Sequence, residues 1–357
     1  MEKRGIKVEH SRSSPPVRLI AWEVTRSCKF KCLHCRASAR DGLYSDELTT
    51  EECEKLLENI ASFSKPIIIL TGGEPLLRED IFHIIEFGRS LGLKMVMASC
   101  SPSLNRDLCK KLKRSGVERI SLSIDSPFPE KHDFFRGVSG AFEAMIRVFK
   151  AVRGAGLEFQ INSTITRMNM DDLPGLLRLA EEQGAVSFHP FLLVPTGRAK
   201  ELTGYTLSAR EYEGVLKRIC EQSIKSNIDI KPTCAPHYSR ICAQRGLTGS
   251  SVRGTITRGC LGGHGFAFIS HRGVVQICGF LDRSAGELRP GGFDFRSIWN
   301  SSPFFKRIRS IESYKGKCGL CEYWKICGGC RARGLSVNGD CFAEEPFCLY
   351  RPKASKT

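Results

Sequence analysis

The most informative part of this 357-residue chain is Thr25-Arg26-Ser27-Cys28-Lys29-Phe30-Lys31-Cys32-Leu33-His34-Cys35. It follows an apolar run that ends at Val24 and predicts a β-strand. Its three cysteines therefore lie in a loop after the first strand, and the basic residues between them favour thiolates over thiols. Iron–sulfur cubes are usually held by four thiolates, so three at this close spacing would leave one iron free to bind a small molecule.

Two other interpretations of this cysteine triplet remain open. A zinc ion would need a fourth ligand, which His34 could provide, but zinc sites usually combine a C-x2-C pair with distant partners. The third interpretation is three buried structural cysteines. It is weaker, because the loop is rich in lysine and arginine.

Apolar runs and amphipathic segments alternate along the first two thirds of the chain. Strands are predicted at 17–24, 66–70, 94–98, 119–124, 157–165 and 186–194, and helices at 49–62, 79–91, 104–115, 141–155, 171–183 and 208–224. Six such βα units in series predict an α/β fold with a parallel sheet covered by helices. Periodicity does not show whether this sheet closes. Catalytic groups are expected in the loops that follow the strands.

The chain changes character near residue 230. Ten of its seventeen cysteines lie in residues 231–357, together with many glycines and few long helical patterns. We therefore predict an N-terminal extension (1–16), a larger domain (17–232) and a small domain organised by metal (233–357). The basic, polar start does not resemble a secretory signal, and clustered thiols suit a reducing compartment, so a cytoplasmic protein is expected.

The formal net charge of +16 indicates an acidic partner. Nucleic acid is disfavoured, because the lysines and arginines are dispersed and no nucleic-acid module spacing is present. A substrate with several carboxylates or an acidic electron-transfer protein would use the same field, and solubility alone would also account for it. No apolar run reaches the 18 residues of a membrane helix, so no membrane partner is expected.

The C-x3-C-x2-C triplet after the first strand resembles that of the radical S-adenosylmethionine superfamily. The resemblance implies a partial (β/α)6 barrel, a [4Fe–4S] cluster held by Cys28, Cys32 and Cys35, and S-adenosylmethionine on the open iron. His34 takes the position of an adenine-contacting residue that is typically aromatic in the family. The other implied cofactor contacts are the GGE motif Gly72, Gly73 and Glu74, then Ser123, Asp125, Arg136, Asn162 and Thr164.

The C-terminal cysteines resemble the SPASM extension of the same superfamily, which carries auxiliary clusters. By this resemblance Cys318, Cys321, Cys327 and Cys348 hold one auxiliary [4Fe–4S] cluster. Cys260, Cys278 and Cys330 hold a possible second one, whose fourth ligand is either missing or supplied by Cys234. Cys330 arrives one residue earlier than in the family pattern. A zinc ribbon is the alternative, and Cys53, Cys100, Cys109, Cys220 and Cys242 are assigned to packing.

Stretches throughout the chain, among them Phe191–Arg198 and Thr233–Tyr238, resemble the haem synthase branch of the siroheme-dependent haem pathway. The implied reaction is oxidative decarboxylation of two propionates of iron-coproporphyrin III to vinyl groups, giving haem b. Electrons would come from an acidic donor such as a flavodoxin or ferredoxin. His189, Arg198 and His237 are candidate substrate contacts. The alternatives are a didecarboxysiroheme deacetylase, a haem d1 enzyme, a SPASM peptide maturase and a non-enzymatic zinc-binding module.

Overall fold

The computed structural model describes residues 14–247 and 258–353. The strands are β1 (Leu19–Thr25), β2 (Ile67–Gly72), β3 (Lys94–Ser99), β4 (Val117–Ser123), β5 (Glu158–Ile165), β6 (Ser187–Leu192), β7 (Asp229–Ile230), β8 (Phe266–Ile269), β9 (Val274–Gln276) and β10 (Gly286–Glu287). The helices are α1 (Thr50–Phe63), α2 (Ile81–Ser90), α3 (Arg106–Ser115), α4 (Pro129–Arg136), α5 (Ala141–Gly154), α6 (Leu173–Glu182), α7 (Ala209–Lys225), α8 (His237–Gln244), α9 (Phe295–Ser301), α10 (Pro303–Ile308), α11 (Gly316–Gly319) and α12 (Arg331–Asn338).

The strands form one sheet in the order β10-β9-β8-β1-β2-β3-β4-β5-β6-β7. Every pairing from β8 through β1 to β7 is parallel, and only β8–β9 and β9–β10 are antiparallel. Within the described residues the two ends of the sheet, β10 and β7, are not hydrogen-bonded to each other, so the barrel is open. The predicted α/β fold with a partial parallel barrel is confirmed.

All six predicted βα units are present, with ends that differ by a few residues from the prediction. Local sequence explains several of these ends. Thr49 and Ser208 form capping boxes with Glu52 and Glu211 at the start of α1 and α7. Gly116 ends α3 with φ of 124°, a conformation that side chains with a Cβ rarely adopt.

Successive side chains of β1 point alternately toward the helix layer and toward the interior of the barrel. Ile20, Trp22 and Val24 are at most 1% exposed and belong to the main core. Leu19 and Ala21, which alternate with them, line the cavity inside the barrel. The inner face is therefore a cavity wall at positions where a filled barrel would have packed layers.

The C-terminal cysteine-rich region is attached to the barrel through its sheet. β8 pairs with β1 in parallel, with Leu19 opposite Phe266 and Trp22 opposite Ile269. The sheet thus continues across the predicted domain boundary at 232/233. The short helices α8 to α12 were not predicted individually, because each is too short for a clear amphipathic period. No helix in the described ranges is long and apolar enough to cross a membrane.

Candidate active site

The interior of the barrel contains a cavity of about 950 Å³. The three cysteines of the first loop line it, and so do Cys234, Cys260, Cys278 and Cys330 from the C-terminal region. Ligand pockets usually measure about 300–1,000 Å³, so this one lies at the large end of that range. The predicted first cysteine site and part of the predicted auxiliary site therefore face a common space.

The cysteine loop is held on several sides by backbone hydrogen bonds. The Cys28 amide donates to the Arg40 carbonyl (3.1 Å) and the Leu33 amide to the Phe135 carbonyl (3.0 Å). Arg198 donates from Nε to the Cys32 carbonyl (2.8 Å) and from Nη1 to the Ala39 carbonyl (2.6 Å). Hydrogen bonds within the protein thus fix the loop, as a preorganised site requires.

The two glycines after β2 allow the chain to pass close to this loop. A Cβ on Gly72 would lie 2.0 Å from the Thr25 carbonyl oxygen, and one on Gly73 would lie 2.1 Å from that of Ser27. Gly72 also has φ of 149°. Any side chain at either position would push the loop away from the end of β2, so both glycines are required by geometry.

Glu74 is buried and fully occupied by local hydrogen bonds. Its carboxylate accepts from the Ser99 hydroxyl (2.8 Å), the Cys100 amide (2.7 Å) and the Leu76 amide (3.2 Å). It is not among the residues that line the cavity. In this structure Glu74 shapes the end of β3, and its contact with the cofactor remains a prediction.

Cys100 was assigned to packing from the sequence, but it lies at the cluster site. Its thiol donates a hydrogen bond to Cys28, which lowers the pKa of Cys28 although burial acts in the opposite direction. Cys100 also lines the cavity. Because it belongs to no spacing motif, the sequence contained no signal for this position.

Asp125 and Arg136 form a buried ion pair beside the cysteine loop. Arg136 Nη2 lies 2.8 Å from Asp125 Oδ2, and Arg136 Nη1 donates to the Cys32 sulfur at 3.7 Å. Burial opposes ionisation of both groups, but Arg136 lowers the pKa of Asp125 and Asp125 raises that of Arg136. His34 stacks on Phe135 with ring centres 4.9 Å apart, and burial lowers its pKa to about 4, so its imidazole is neutral.

The structure brings most of the predicted cofactor residues to the cavity. The predicted residues that line it are His34, Gly72, Gly73, Ser123, Arg136, Asn162 and Thr164. Asp125 does not line it, since its carboxylate is engaged by Arg136 and by the Thr164 amide (2.7 Å). The predicted set is therefore one site, with Asp125 and Glu74 behind its wall.

The wall of the cavity differs in polarity from one side to the other. β1, β2 and β8 contribute apolar side chains, among them Ala21, Ile69 and Phe268. β4, β5 and β6 contribute mostly polar ones, among them Glu118, Arg119, Ser121, Ser123, Glu158, Gln160, Asn162, Thr164 and His189. Such a cavity suits a ligand that has both a large apolar surface and several polar groups.

The three predicted substrate residues are placed differently. Arg198 lines the cavity, and its Nη2 is buried without a hydrogen-bond partner. His189 also lines it, and burial lowers its pKa to about 3, which keeps the ring neutral. His237 is fully buried on α8, 3.8 Å from Glu345, and lines a separate pocket. The geometry gives no support to contact between His237 and a substrate in the large cavity.

The sequence analysis did not predict a second charged network, which lies at the cavity wall. Glu23 is fully buried at the end of β1 and contacts Arg36, Arg26 and His271, each at 2.9 Å. Burial opposes its ionisation, but these three partners lower its pKa to about 2. Arg36 lines the cavity over the Phe268 ring and has one buried, unpartnered nitrogen. The only feature of the sequence that could have indicated this network is a single glutamate, Glu23, within an apolar strand.

The C-terminal cysteines fall into two groups. Cys318, Cys321, Cys327 and Cys348 line one small pocket. Cys260, Cys278 and Cys330 line the large cavity, together with Cys234. These two groups are the ones that the family resemblance implied, and their roles as cluster ligands remain a prediction. Within the described residues no three His, Cys, Asp or Glu side chains converge on one point as ligands of a single metal ion.

The residues present fit the implied groups. All seventeen cysteines are free. Three thiols lie at the end of the first strand around one cavity, and an arginine donor faces one of these sulfurs. Open space between thiols is what a multi-iron cluster requires, because it separates its ligands more widely than one ion does. A cofactor in the same cavity would lie against His34, Ser123 and Asn162.

Comparisons with known proteins identify the family of this chain. A family model described as the radical SAM superfamily matches residues 22–180. The chain is 46% identical to an AdoMet-dependent heme synthase of Nitratidesulfovibrio vulgaris over 95% of this chain and 94% of that protein. It is 28% identical to an Fe-coproporphyrin III synthase of Methanosarcina barkeri, over 96% and 89%. The fold resembles that of anSMEcpe with bound AdoMet and peptide (TM-score 0.70, 17% identity, 94% of each chain covered).

Proposed function

Because the chain belongs to the radical SAM superfamily and to its family of AdoMet-dependent heme synthases, we propose that it converts iron-coproporphyrin III to haem b. The overall change is the conversion of two propionates to vinyl groups. Each propionate loses one hydrogen atom, one molecule of carbon dioxide and one electron. The observation that carries the proposal is the common cavity, in which the cysteine triplet and a large two-sided space lie together.

When bound, the cluster and S-adenosylmethionine supply a hydrogen-abstracting 5′-deoxyadenosyl radical. Cys28, Cys32 and Cys35 would hold the cluster, and Arg136 would stabilise the Cys32 thiolate. Gly72 and Gly73 keep the backbone close to the site. The protein contributes position and a dry environment, while the cofactor contributes the difficult chemistry.

The two-sided wall supports a porphyrin substrate. The apolar side formed by Ala21, Ile69 and Phe268 suits a flat macrocycle. Arg198 and Arg36 each have a buried nitrogen without a partner at the same cavity, and such a donor is costly unless a ligand satisfies it. Propionate carboxylates would satisfy both, since guanidinium groups pair well with carboxylates.

The proposal also includes the electron donor and the cellular compartment of the protein. The net charge of +16 supports an acidic donor such as a flavodoxin or ferredoxin. Seventeen free cysteines support a reducing compartment, the cytoplasm. A nucleic-acid partner is not proposed, because the lysines and arginines are dispersed along the chain. The auxiliary clusters held by the C-terminal cysteines would accept the electron that each decarboxylation releases.

The decisive experiment is anaerobic incubation of cluster-reconstituted protein with S-adenosylmethionine, a reductant and iron-coproporphyrin III. We expect haem b, two molecules of carbon dioxide and two of 5′-deoxyadenosine per substrate. The matched control is Cys32→Ala, which keeps the cavity but loses one thiolate. Deoxyadenosine without haem would overturn the substrate assignment, and turnover of didecarboxysiroheme in its place would indicate the deacetylase.

A further inference from the structure

Arg36 connects the two groups of cysteines that face the large cavity. It directly follows Cys35 of the triplet in the sequence, and its guanidinium lies over the Phe268 ring, 4.5 Å from the ring centre. The backbone next to Cys278 is also close, because a Cβ built on Gly279 would lie 3.1 Å from Arg36 Cζ. Arg36 therefore reaches from the triplet loop to the C-terminal side of the cavity.

One terminal nitrogen of this guanidinium is held by the protein, and the other is free. Arg36 Nη1 donates to Glu23 Oε2 at 2.9 Å, and the Glu23 side chain is fully buried. Arg36 Nη2 is also buried, and it has no hydrogen-bond partner in the part of the chain that the structure describes. A buried donor without a partner is costly. An acceptor on a bound molecule would remove this cost, since Arg36 lines the cavity.

Glu23 supports Arg36 from behind the cavity wall. Arg26 Nε donates to Glu23 Oε1 at 2.9 Å, and His271 Nδ1 lies 2.9 Å from the same oxygen. Neither Arg26 nor His271 lines the cavity. Among these three partners of Glu23, Arg36 therefore offers the donor that a ligand in the cavity can reach.

Arg198, which also has a buried free nitrogen at this cavity, is placed differently. Its Nε and Nη1 donate to the carbonyls of Cys32 and Ala39, both in the first loop. Arg198 thus belongs to the triplet side. In the proposed function the reacting propionate must lie near the triplet, where the radical forms, and near the C-terminal cysteines, which lead its electron away. Arg36 lies at the place that meets both requirements.

We propose that Arg36 Nη2 binds the carboxylate of the propionate that is about to react, and that Glu23 is its positioning residue. The inference rests on the proposed function, since it takes iron-coproporphyrin III as the substrate. When the first propionate loses its carboxylate as carbon dioxide, Arg36 loses its partner, and the second reactive propionate takes its place. The two propionates that remain in haem b are bound elsewhere in the cavity. Arg36 therefore favours the substrate over the product.

The test compares the affinities of the chain for substrate and product. Iron-coproporphyrin III and haem b are titrated separately into anaerobic protein without S-adenosylmethionine, and binding is followed by absorbance. Arg36→Met should weaken the binding of iron-coproporphyrin III by about 10–100-fold, as expected for a hydrogen bond between charged groups. The binding of haem b should not change. Equal weakening of both ligands, or of neither, would overturn the assignment.

Arg40→Met is the matched control for the loss of charge. Arg40 is exposed in the same loop and does not line the cavity, so both affinities should equal those of the unmodified chain. A preference for substrate that falls as far in Arg40→Met as in Arg36→Met would also overturn the assignment. If Arg36→Met does not fold, Arg36→Lys replaces it. Lysine can still pair with Glu23 but lacks the forked donors that hold two carboxylates at once, so the preference should again fall.

Glu23→Gln tests the positioning role. If Glu23 acts through Arg36, this change lowers the ratio of substrate affinity to product affinity, and adding it to Arg36→Met lowers the ratio no further. A merely structural role of Glu23 would weaken both ligands together and leave the ratio unchanged. That result would remove Glu23 from the proposal.

Haem formation by the unmodified chain tests the proposed function separately. If haem forms while Arg36→Met weakens both ligands equally, the inference fails and the proposed function stands. If Arg36→Met weakens only iron-coproporphyrin III but the unmodified chain forms no haem from it, the carboxylate site stands and the proposed reaction fails.

Discussion

The cysteine triplet of the barrel and the cavity-facing thiols of the C-terminal region are built in opposite ways. The triplet lies between positions 28 and 35 in one loop, whereas Cys234, Cys260, Cys278 and Cys330 are spread over almost a hundred positions. Barrel backbone and Arg198 fix the first loop. A buried Arg333–Glu345 ion pair fixes two members of the second group. The position of the triplet is therefore set by one short loop. The positions of the four dispersed cysteines depend on contacts made by the tertiary fold.

The difference also concerns what each region presents to the cavity. Around the triplet lie hydrogen-bond donors and acceptors that suit a nucleotide cofactor, such as Ser123, Asn162 and Thr164. Around the C-terminal group the charged side chains are engaged with each other or with backbone carbonyls. We therefore expect the first region to bind the cofactor and the second to take part in electron transfer.

The strongest test of this contrast is Cys32→Ala. With only two thiolates left in the loop, we expect complete loss of S-adenosylmethionine cleavage, because the open cluster can no longer be held. Iron content should fall by about four per chain, leaving the auxiliary clusters in place. Deoxyadenosine formation and iron analysis measure the effect.

The control for this first variant is Cys109→Ala, which removes a fully buried thiol of α3. It should retain both iron and cleavage. Cleavage that survives in Cys32→Ala would mean that the triplet is not the reactive site, and the contrast between the two regions would disappear.

Glu345→Gln tests the dependence of the C-terminal region on its buried ion pair. The change leaves Arg333 charged and without its partner in the interior, which typically costs about 3–5 kcal/mol. Guanidinium unfolding of anaerobic protein, followed by circular dichroism, measures the free energy of unfolding.

The matched control for the ion pair is Asp171→Asn, which breaks the exposed pair with Arg218 and should cost less than about 1 kcal/mol. The Arg333→Met/Glu345→Leu double variant should recover part of the loss, since no uncompensated charge remains. Equal effects of Glu345→Gln and Asp171→Asn would show that the buried pair does not organise this region.

Arg136→Met tests the corresponding support in the barrel. Arg136 donates to the Cys32 sulfur and pairs with Asp125, so we expect a loss of about 10–100-fold in deoxyadenosine formation, as for other residues that orient metal ligands. The rate of deoxyadenosine formation by Arg136→Lys should lie between those of Arg136→Met and the unmodified chain, because lysine keeps the charge but not the forked geometry. Arg153→Met, at an exposed position of α5, is the control. An Arg136→Met rate equal to the control would remove Arg136 from the site.

The periodicity of the sequence predicted the six βα units and their parallel sheet, whereas the partial barrel and the ligand role of the triplet came from the family resemblance. Apolar residues recur with the spacing of strands and helices over six units. The three cysteines of the first loop lie within eight residues, so their spacing can be recognised directly in the sequence. The family resemblance grouped the C-terminal cysteines as the two pockets do, and their roles as ligands remain a prediction. Cys100, Arg36 and the Arg333–Glu345 pair were not predicted, because their roles depend on contacts between residues far apart in the chain. Glu74 and Asp125 belong to recognisable motifs, yet their carboxylates face the protein interior and support the wall.

The smallest expected effect concerns pH and the barrel wall behind Asp125. His132 is 1% exposed, and its Nδ1 accepts a hydrogen bond from the Asp125 amide at 3.1 Å. Burial, followed by the charge of Arg136, lowers its pKa from 6.5 to about 4. Between pH 6.5 and pH 4, His132 is therefore protonated in the unfolded chain but remains neutral in the folded chain. Stability from this group is complete above pH 6.5 and is lost as pH falls toward 4, by at most about 1.4 kcal/mol per pH unit.

His132→Asn should reduce that loss, because an amide oxygen can accept the same hydrogen bond and does not titrate. Urea unfolding at pH 7, 6 and 5 compares the two slopes, and the variant should have the shallower one. His83→Asn is the control, since the His83 side chain is half exposed on α2. If His132→Asn and the unmodified chain lose stability equally between pH 7 and 5, then other buried groups determine the acid sensitivity of the barrel. The wall behind Asp125 would then not depend on a neutral imidazole.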